Sequence, residues 1–149
     1  MNIMIDSSIL IEFIRGGNTI LLETLIDKPE SRLFINPIIY SEFMFHYISI
    51  ISGKSPLTLK NSKLLNSIVK ENEPFDLIKA FSVTEISEET VELSYRFIRN
   101  YLLLPNDSII LANCITSGIE FLASLDSDFI SPCAKEKIKL IRTLEDIQK

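Results

Sequence analysis

Five carboxylates in this chain stand where apolar segments stop or turn: Asp6, Glu42, Asp107, Asp126 and Asp128. Asp6 follows the apolar run "NIMI", and Asp126 and Asp128 break off the stretch "FLASLDSDFI". Glu42 lies in "IIYSEFMFHYISII", where its turn neighbours Ile38, Ile39 and Phe45 are apolar, and Asp107 opens "NDSIILANCITSG". Burying an unpartnered carboxylate is costly, and several gathered together repel one another until a proton or a cation neutralises them. Oxygen ligands of this kind suit a hard divalent cation. Each acid also has a plainer reading. Asp6 can cap or flank a helix, Asp107 can be a first-turn acid favoured by the helix dipole, and Asp126 and Asp128 can be turn residues. Glu42 can pair with His46 one turn later.

What would gather such acids is a parallel sheet, because ligands of open α/β folds lie beyond the carboxyl ends of the strands. The periodicity predicts strands at residues 2–5, in "RLFIN", "KAFSVTEIS" and "EFLAS", and in the closing "KIKLI". Between them it predicts helices: "SILIEFIRG", capped by Ser7 or Ser8 and stopped at Gly16 and Gly17; "TILLETLIDK", ended by Pro29; and "IIYSEFMFHYISII" after Pro37. Two more follow, "SEETVELSYRFIRNYL" with a capping-box start at Ser87 and "NDSIILANCITSG" ended by Gly118. Short apolar strands alternating with helices make this an α/β chain with an open, mainly parallel sheet of four to five strands and helices on both faces. Residues 53–74 are more polar, with apolar residues at helical spacing, and read as a surface helix or lid.

Bulk properties narrow the function. The 149 residues suffice for one domain, 1–149, with its own core, and no tract rich in Gly, Pro and Ser divides them. Although 46% of residues are apolar, no stretch of about 18 lacks charge and polarity, so no membrane span is expected. The opening "MNIMIDSSIL" has neither a basic leader nor a long apolar core, which points to the cytoplasm. Two cysteines, Cys114 and Cys133, and one histidine make neither a disulfide framework nor a zinc site. A net charge of −5 excludes a protein that grips nucleic acid by bulk electrostatics. The four glycines include no phosphate-cradling loop, and one histidine beside Glu42 makes no Ser-His-Asp or Cys-His system. A phosphoacceptor signalling domain, another acid-rich α/β fold, would need an acceptor Asp after a central strand, and "KAFSVTEIS" supplies none.

Taken in order, the acids and their neighbours resemble the PIN domain family and, within it, the VapC-like toxin branch. The resemblance runs over nearly the whole chain. It rests on Asp6-Ser7-Ser8 after the first strand, on Ser41-Glu42-Phe43 in the helix after the second, and on Asn106-Asp107-Ser108-Ile109-Ile110-Leu111-Ala112 at a later helix start. Ser124-Leu125-Asp126-Ser127-Asp128-Phe129 closes the pattern, whereas residues 53–74 have no place in it. The resemblance implies a metal-dependent endoribonuclease using Mg²⁺ or Mn²⁺. Asp6 and Asp107 would be direct ligands, Asp126 a second-site or water-mediated ligand, and Glu42 a ligand or the group that orients or deprotonates the attacking water. Asp128 would be a less regular fifth member, with Ser8 and Ser124 as supporting groups. It further implies an RNA substrate and a small antitoxin that blocks the site. The apolar early helices "SILIEFI" and "IIYSEFMFHYISII" read separately as plain core or as surface for a homodimer or a bound partner. Arg15, Lys54, Lys60, Lys63, Arg96 and Arg99 are candidate local cations for RNA. The rival reading is a PIN-like interaction protein with a weak or vestigial site.

Overall fold

The strands of this molecule are short, and the central ones, Asn2–Ile5 and Phe121–Ala123, are almost wholly apolar. The computed structural model describes residues 1–72 and 75–147. In chain order it contains β1 (Asn2–Ile5), α1 (Ser7–Ile14), α2 (Ile20–Asp27), β2 (Arg32–Ile35), α3 (Pro37–Ser52), α4 (Pro56–Asn61), α5 (Leu65–Asn72), α6 (Phe75–Ile78) and β3 (Ser82–Val83). Then come α7 (Glu88–Tyr101), α8 (Pro105–Thr116), β4 (Phe121–Ala123), a 3-10 turn at Ser127–Phe129, α9 (Ile130–Glu136), β5 (Lys139–Ile141) and a 3-10 turn at Leu144–Ile147.

The strands form one parallel sheet in the order β3-β2-β1-β4-β5. In β1 the consecutive residues Ile3, Met4 and Ile5 are all fully buried. Since neighbouring side chains on a strand point to opposite faces, both faces of the sheet are covered, as the sequence predicts for a parallel sheet between helices. β1 is the central strand, and the chain leaves it first toward β2 and later returns to its other side as β4. That reversal is the switch point at which an α/β sheet opens a crevice beyond its strand ends. Ile5 pairs with Ala123, and the Asp6 amide donates to the Ala123 carbonyl at 2.9 Å, so the two strands end side by side.

Several boundaries differ from expectation for local reasons. Asp6, rather than Ser7 or Ser8, caps α1. Asn36 leaves the strand "RLFIN" to cap α3, its side chain accepting from the amides of Ile38 and Ile39 at 3.0 Å each, with Pro37 at the first helical position. The expected strand "KAFSVTEIS" shrinks to Ser82–Val83, an edge strand paired only with β2, with Thr84 adding one more bond to the Ile35 carbonyl. The capping box at Ser87 uses Thr90 instead of a glutamate. Residues 130–136 form the unpredicted α9, in which Pro132 sits in the first turn where its missing amide costs nothing. Lys137, read as the start of the last strand, ends that helix with φ 60, and β5 starts at Lys139. Residues 53–72 form two short helices, α4 and α5, packed against α3; positions 73 and 74 of the expected surface segment lie outside the described residues. Among the described residues no helix is long and apolar enough to cross a membrane.

Candidate active site

The site begins with a carboxylate forced into the core. Asp6 follows the buried β1 directly and is itself 4% exposed. Its backbone is extended at φ −70, ψ 155, which turns the side chain back over the first turn of α1. One oxygen, Oδ2, accepts hydrogen bonds from Ser8 Oγ at 2.6 Å and from Ser124 Oγ at 2.7 Å, with the Ser8 amide at 3.4 Å. Burial pushes the Asp6 carboxyl above the usual range, the Ser8 and Ser124 hydroxyls pull it back down, and Glu42 adds a further upward push. The same two serines lace β1 to β4: Ser8 Oγ accepts from the Leu125 amide at 3.0 Å, and Ser124 Oγ accepts from the Asp126 amide at 3.1 Å. Both serines stand where the sequence places supporting groups.

Glu42 reaches the same end of the sheet from α3. Its Oε2 accepts from Ser7 Oγ at 2.7 Å and its Oε1 from Asn106 Nδ2 at 2.6 Å. The alternative pairing with His46 does not occur; His46 is exposed and meets the Phe45 ring edge-on at 5.7 Å between centroids. Ser7 and Asn106 are thus the groups that sequence reasoning missed. Ser7 reads from the sequence as a helix cap and as the middle residue of Asp6-Ser7-Ser8, and neither reading points to Glu42. Asn106 opens the motif that contains Asp107, which is the sequence signal it carries.

Asp107 lies in the first turn of α8, where Pro105 starts the helix and Leu104 offers no side-chain cap. It is half-buried, and its carboxyl is pushed up to about 6 by burial first, then by Asp126, Asp6, Glu42 and Asp128 in turn. Those four neighbours are the other four acids of the sequence pattern, so all five act on one place. Asp126 caps the 3-10 turn after β4 by accepting from the Asp128 amide at 2.8 Å, and Asp128 is exposed at the rim. The cap and turn readings of Asp6 and Asp126 therefore hold, each through one side-chain oxygen, Asp6 Oδ2 and Asp126 Oδ1.

Behind the acids, two fully buried asparagines hold the elements in register. Asn113 of α8 accepts from Asn36 Nδ2 at 3.2 Å and from Thr84 Oγ1 at 2.6 Å, and donates to the Glu85 carbonyl at 2.8 Å. This network ties α8 to the ends of β2 and β3, and so fixes the helix that carries Asp107.

The donor set is chemically right for a hard divalent cation: carboxylate and hydroxyl oxygens in an acid cluster, and among the described residues no ion pair between these acids and a Lys or Arg. Among the described residues no three acidic side chains are drawn together tightly enough to enclose an ion by themselves.

Comparison with known proteins decides the family. The profile of the PIN domain matches residues 3–135, which is most of the chain and includes every acid above. The chain belongs to the PIN domain family. Two curated PIN relatives come from Methanocaldococcus jannaschii. Ribonuclease VapC2 is 33% identical over 130 residues, 85% of this chain and 86% of that protein, and Ribonuclease VapC6 is 33% identical across 97% of both. Among solved structures, a toxin-antitoxin complex from Klebsiella pneumoniae superimposes with a TM-score of 0.58 at 22% identity, covering 85% of this chain and 89% of that one. The PIN sheet and its helices are therefore shared well beyond detectable sequence likeness.

Proposed function

We propose that this PIN-domain chain, working as one domain over 1–149, is a metal-dependent endoribonuclease and the toxin of a toxin-antitoxin pair. The observation that carries the reading is the convergence on Asp107 of Asp6, Glu42, Asp126 and Asp128, at the switch point of the sheet, in a chain one-third identical to two proteins named ribonucleases. Mg²⁺ or Mn²⁺ is the cofactor we assign, on the hardness of the oxygen donors. When bound, such an ion supplies an acidified water and positive charge against the scissile phosphate.

The chain's own residues divide the remaining work. Asp6 and Asp107 hold the cation directly, with the Ser8 and Ser124 hydroxyls favouring the charged form of Asp6 against its burial. Glu42, braced by Ser7 and Asn106, orients the attacking water or accepts its proton. Asp126 contributes through water, and Asp128 adds negative charge at the rim. A small antitoxin is the natural partner, since a cluster of uncompensated carboxylates invites a basic side chain. The exposed Tyr40, Phe45 and Ile51 of α3 offer apolar surface for a homodimer.

The direct test is cleavage of a mixed pool of labelled single-stranded RNA with Mg²⁺ or Mn²⁺, beside Asp6→Ala and Asp107→Ala. Cleavage that requires metal and vanishes in both variants is the expected result. Cleavage that survives either substitution would sink the assignment.

A further inference from the structure

A net charge of −5, with an acid cluster at its centre, leaves the question of what holds a polyanion in this protein. The segment between α3 and α6 answers it. From Gly53 to Lys70 the chain has four lysines, Lys54, Lys60, Lys63 and Lys70, and no acid. The fold then concentrates three of them. Leu64 donates its amide to the Leu59 carbonyl at 2.9 Å and Lys63 to the Lys60 carbonyl at 3.1 Å, with Lys63 left-handed at φ 59. This paired closure ends α4 and reverses the chain into α5. As a result Lys60, Lys63 and Lys70 rim one open concavity of about 540 Å³ whose floor includes Leu65 and Val69. All three lysines are exposed, and among the described residues no ion pair joins them to an acid.

We infer that this α4–α5 concavity is a docking surface for the phosphate backbone of single-stranded RNA, an inference that rests on the nuclease reading above. The charge is complementary, and it lies in the one long segment free of acids. The lysine ammoniums donate without accepting, which suits phosphate oxygens and specifies no base. α4 and α5 pack on α3, the helix that carries Glu42. From Glu42 to the end of α3 at Ser52 the helix rises about 15 Å, a span that the several nucleotides of a single-strand site can bridge.

The test compares the wild-type protein with Lys60→Gln/Lys63→Gln/Lys70→Gln, and with Lys137→Gln/Lys139→Gln as a control that removes charge near α9 and β5. Anisotropy of a labelled 20-nucleotide single-stranded RNA is followed over a salt series in EDTA, and kcat and KM are measured with Mg²⁺. The triple variant is expected to keep its melting temperature, to bind RNA at least tenfold more weakly at low salt, and to lose about two from the slope of log affinity against log salt. Its KM should rise with kcat within twofold, and the control should match wild type. Unchanged RNA affinity and KM in the triple variant overturn the inference while leaving nuclease activity intact. If RNA affinity holds but affinity for polyglutamate falls, the surface belongs to an acidic protein partner and the RNA assignment is wrong. Lysine-dependent RNA binding by a wild-type protein that cleaves nothing would support the surface and count against the nuclease reading.

Discussion

Asp107 concentrates the opposing forces of the site, since burial and four neighbouring acids all disfavour its charge. Its folded carboxyl titrates at about 6 against an ordinary 3.8, so the folded state holds the proton more tightly between those values. Stability of the metal-free protein should therefore fall as pH rises from about 4 to 6, by on the order of 1 kcal/mol once solvent screening of a half-exposed group is allowed for. Divalent metal binds the ionised form, so the gain in melting temperature with Mg²⁺ should be larger at pH 7 than at pH 5. Thermal melts at both pH values, with and without Mg²⁺, check this; a metal-induced gain that ignores pH would contradict it. By the same logic Asp107→Asn should raise the metal-free melting temperature at pH 7 and abolish both the Mg²⁺-induced gain and RNA cleavage. Ser124 shows the converse effect, because its hydroxyl stabilises a buried charge. Ser124→Ala should cost about 1–2 kcal/mol, more as pH rises because its hydrogen bond favours the charged carboxyl of Asp6, as denaturant titrations at two pH values would show.

At the scale of elements, what matters is how four segments distant in sequence are brought to one crevice. β1 and β4 do it by parallel pairing, reinforced by Ser8 and Ser124. α3 and α8 do it through caps and buried polar contacts, with Asn36 capping α3 and donating to Asn113 within α8. Asn113→Ala would leave the buried Asn36 amide without its partner and take one acceptor from the Thr84 hydroxyl, which keeps the Ile35 carbonyl. The expected loss is about 2–3 kcal/mol, or roughly 5–10 °C in melting temperature for a chain of this length. Scanning calorimetry measures it directly. A shift below about 2 °C would mean that the network is replaced by water without penalty.

Taken whole, the molecule separates two kinds of charge. The acids converge at the switch point of the sheet, and the lysines of α4 and α5 collect on a separate surface packed behind α3. Salt should accordingly act mainly on RNA affinity, whereas divalent metal should act on both stability and turnover.

The sequence by itself determined the strand–helix alternation, the parallel sheet and the five acids, because each is written in local features. Apolar runs of four or five residues, glycine and proline stops, and carboxylates at the ends of those runs need no knowledge of distant contacts. It also carried Ser8 and Ser124 through the family pattern. Only the tertiary structure decided which oxygens meet. Glu42 is held by Ser7 and Asn106, 35 and 64 positions away, instead of by His46 in its own helix. No helical spacing encodes that choice; it follows from where α3 and α8 come to rest. The same holds for Asn113, whose polar side chain in an apolar helix is explained only by Asn36 and Thr84 across the fold. β3 was overestimated because pairing stops where its one neighbour, β2, ends at Ile35. Lys60 and Lys63 stand out in the sequence as candidate cations, but the turn at Lys63 is what brings them to one rim with Lys70.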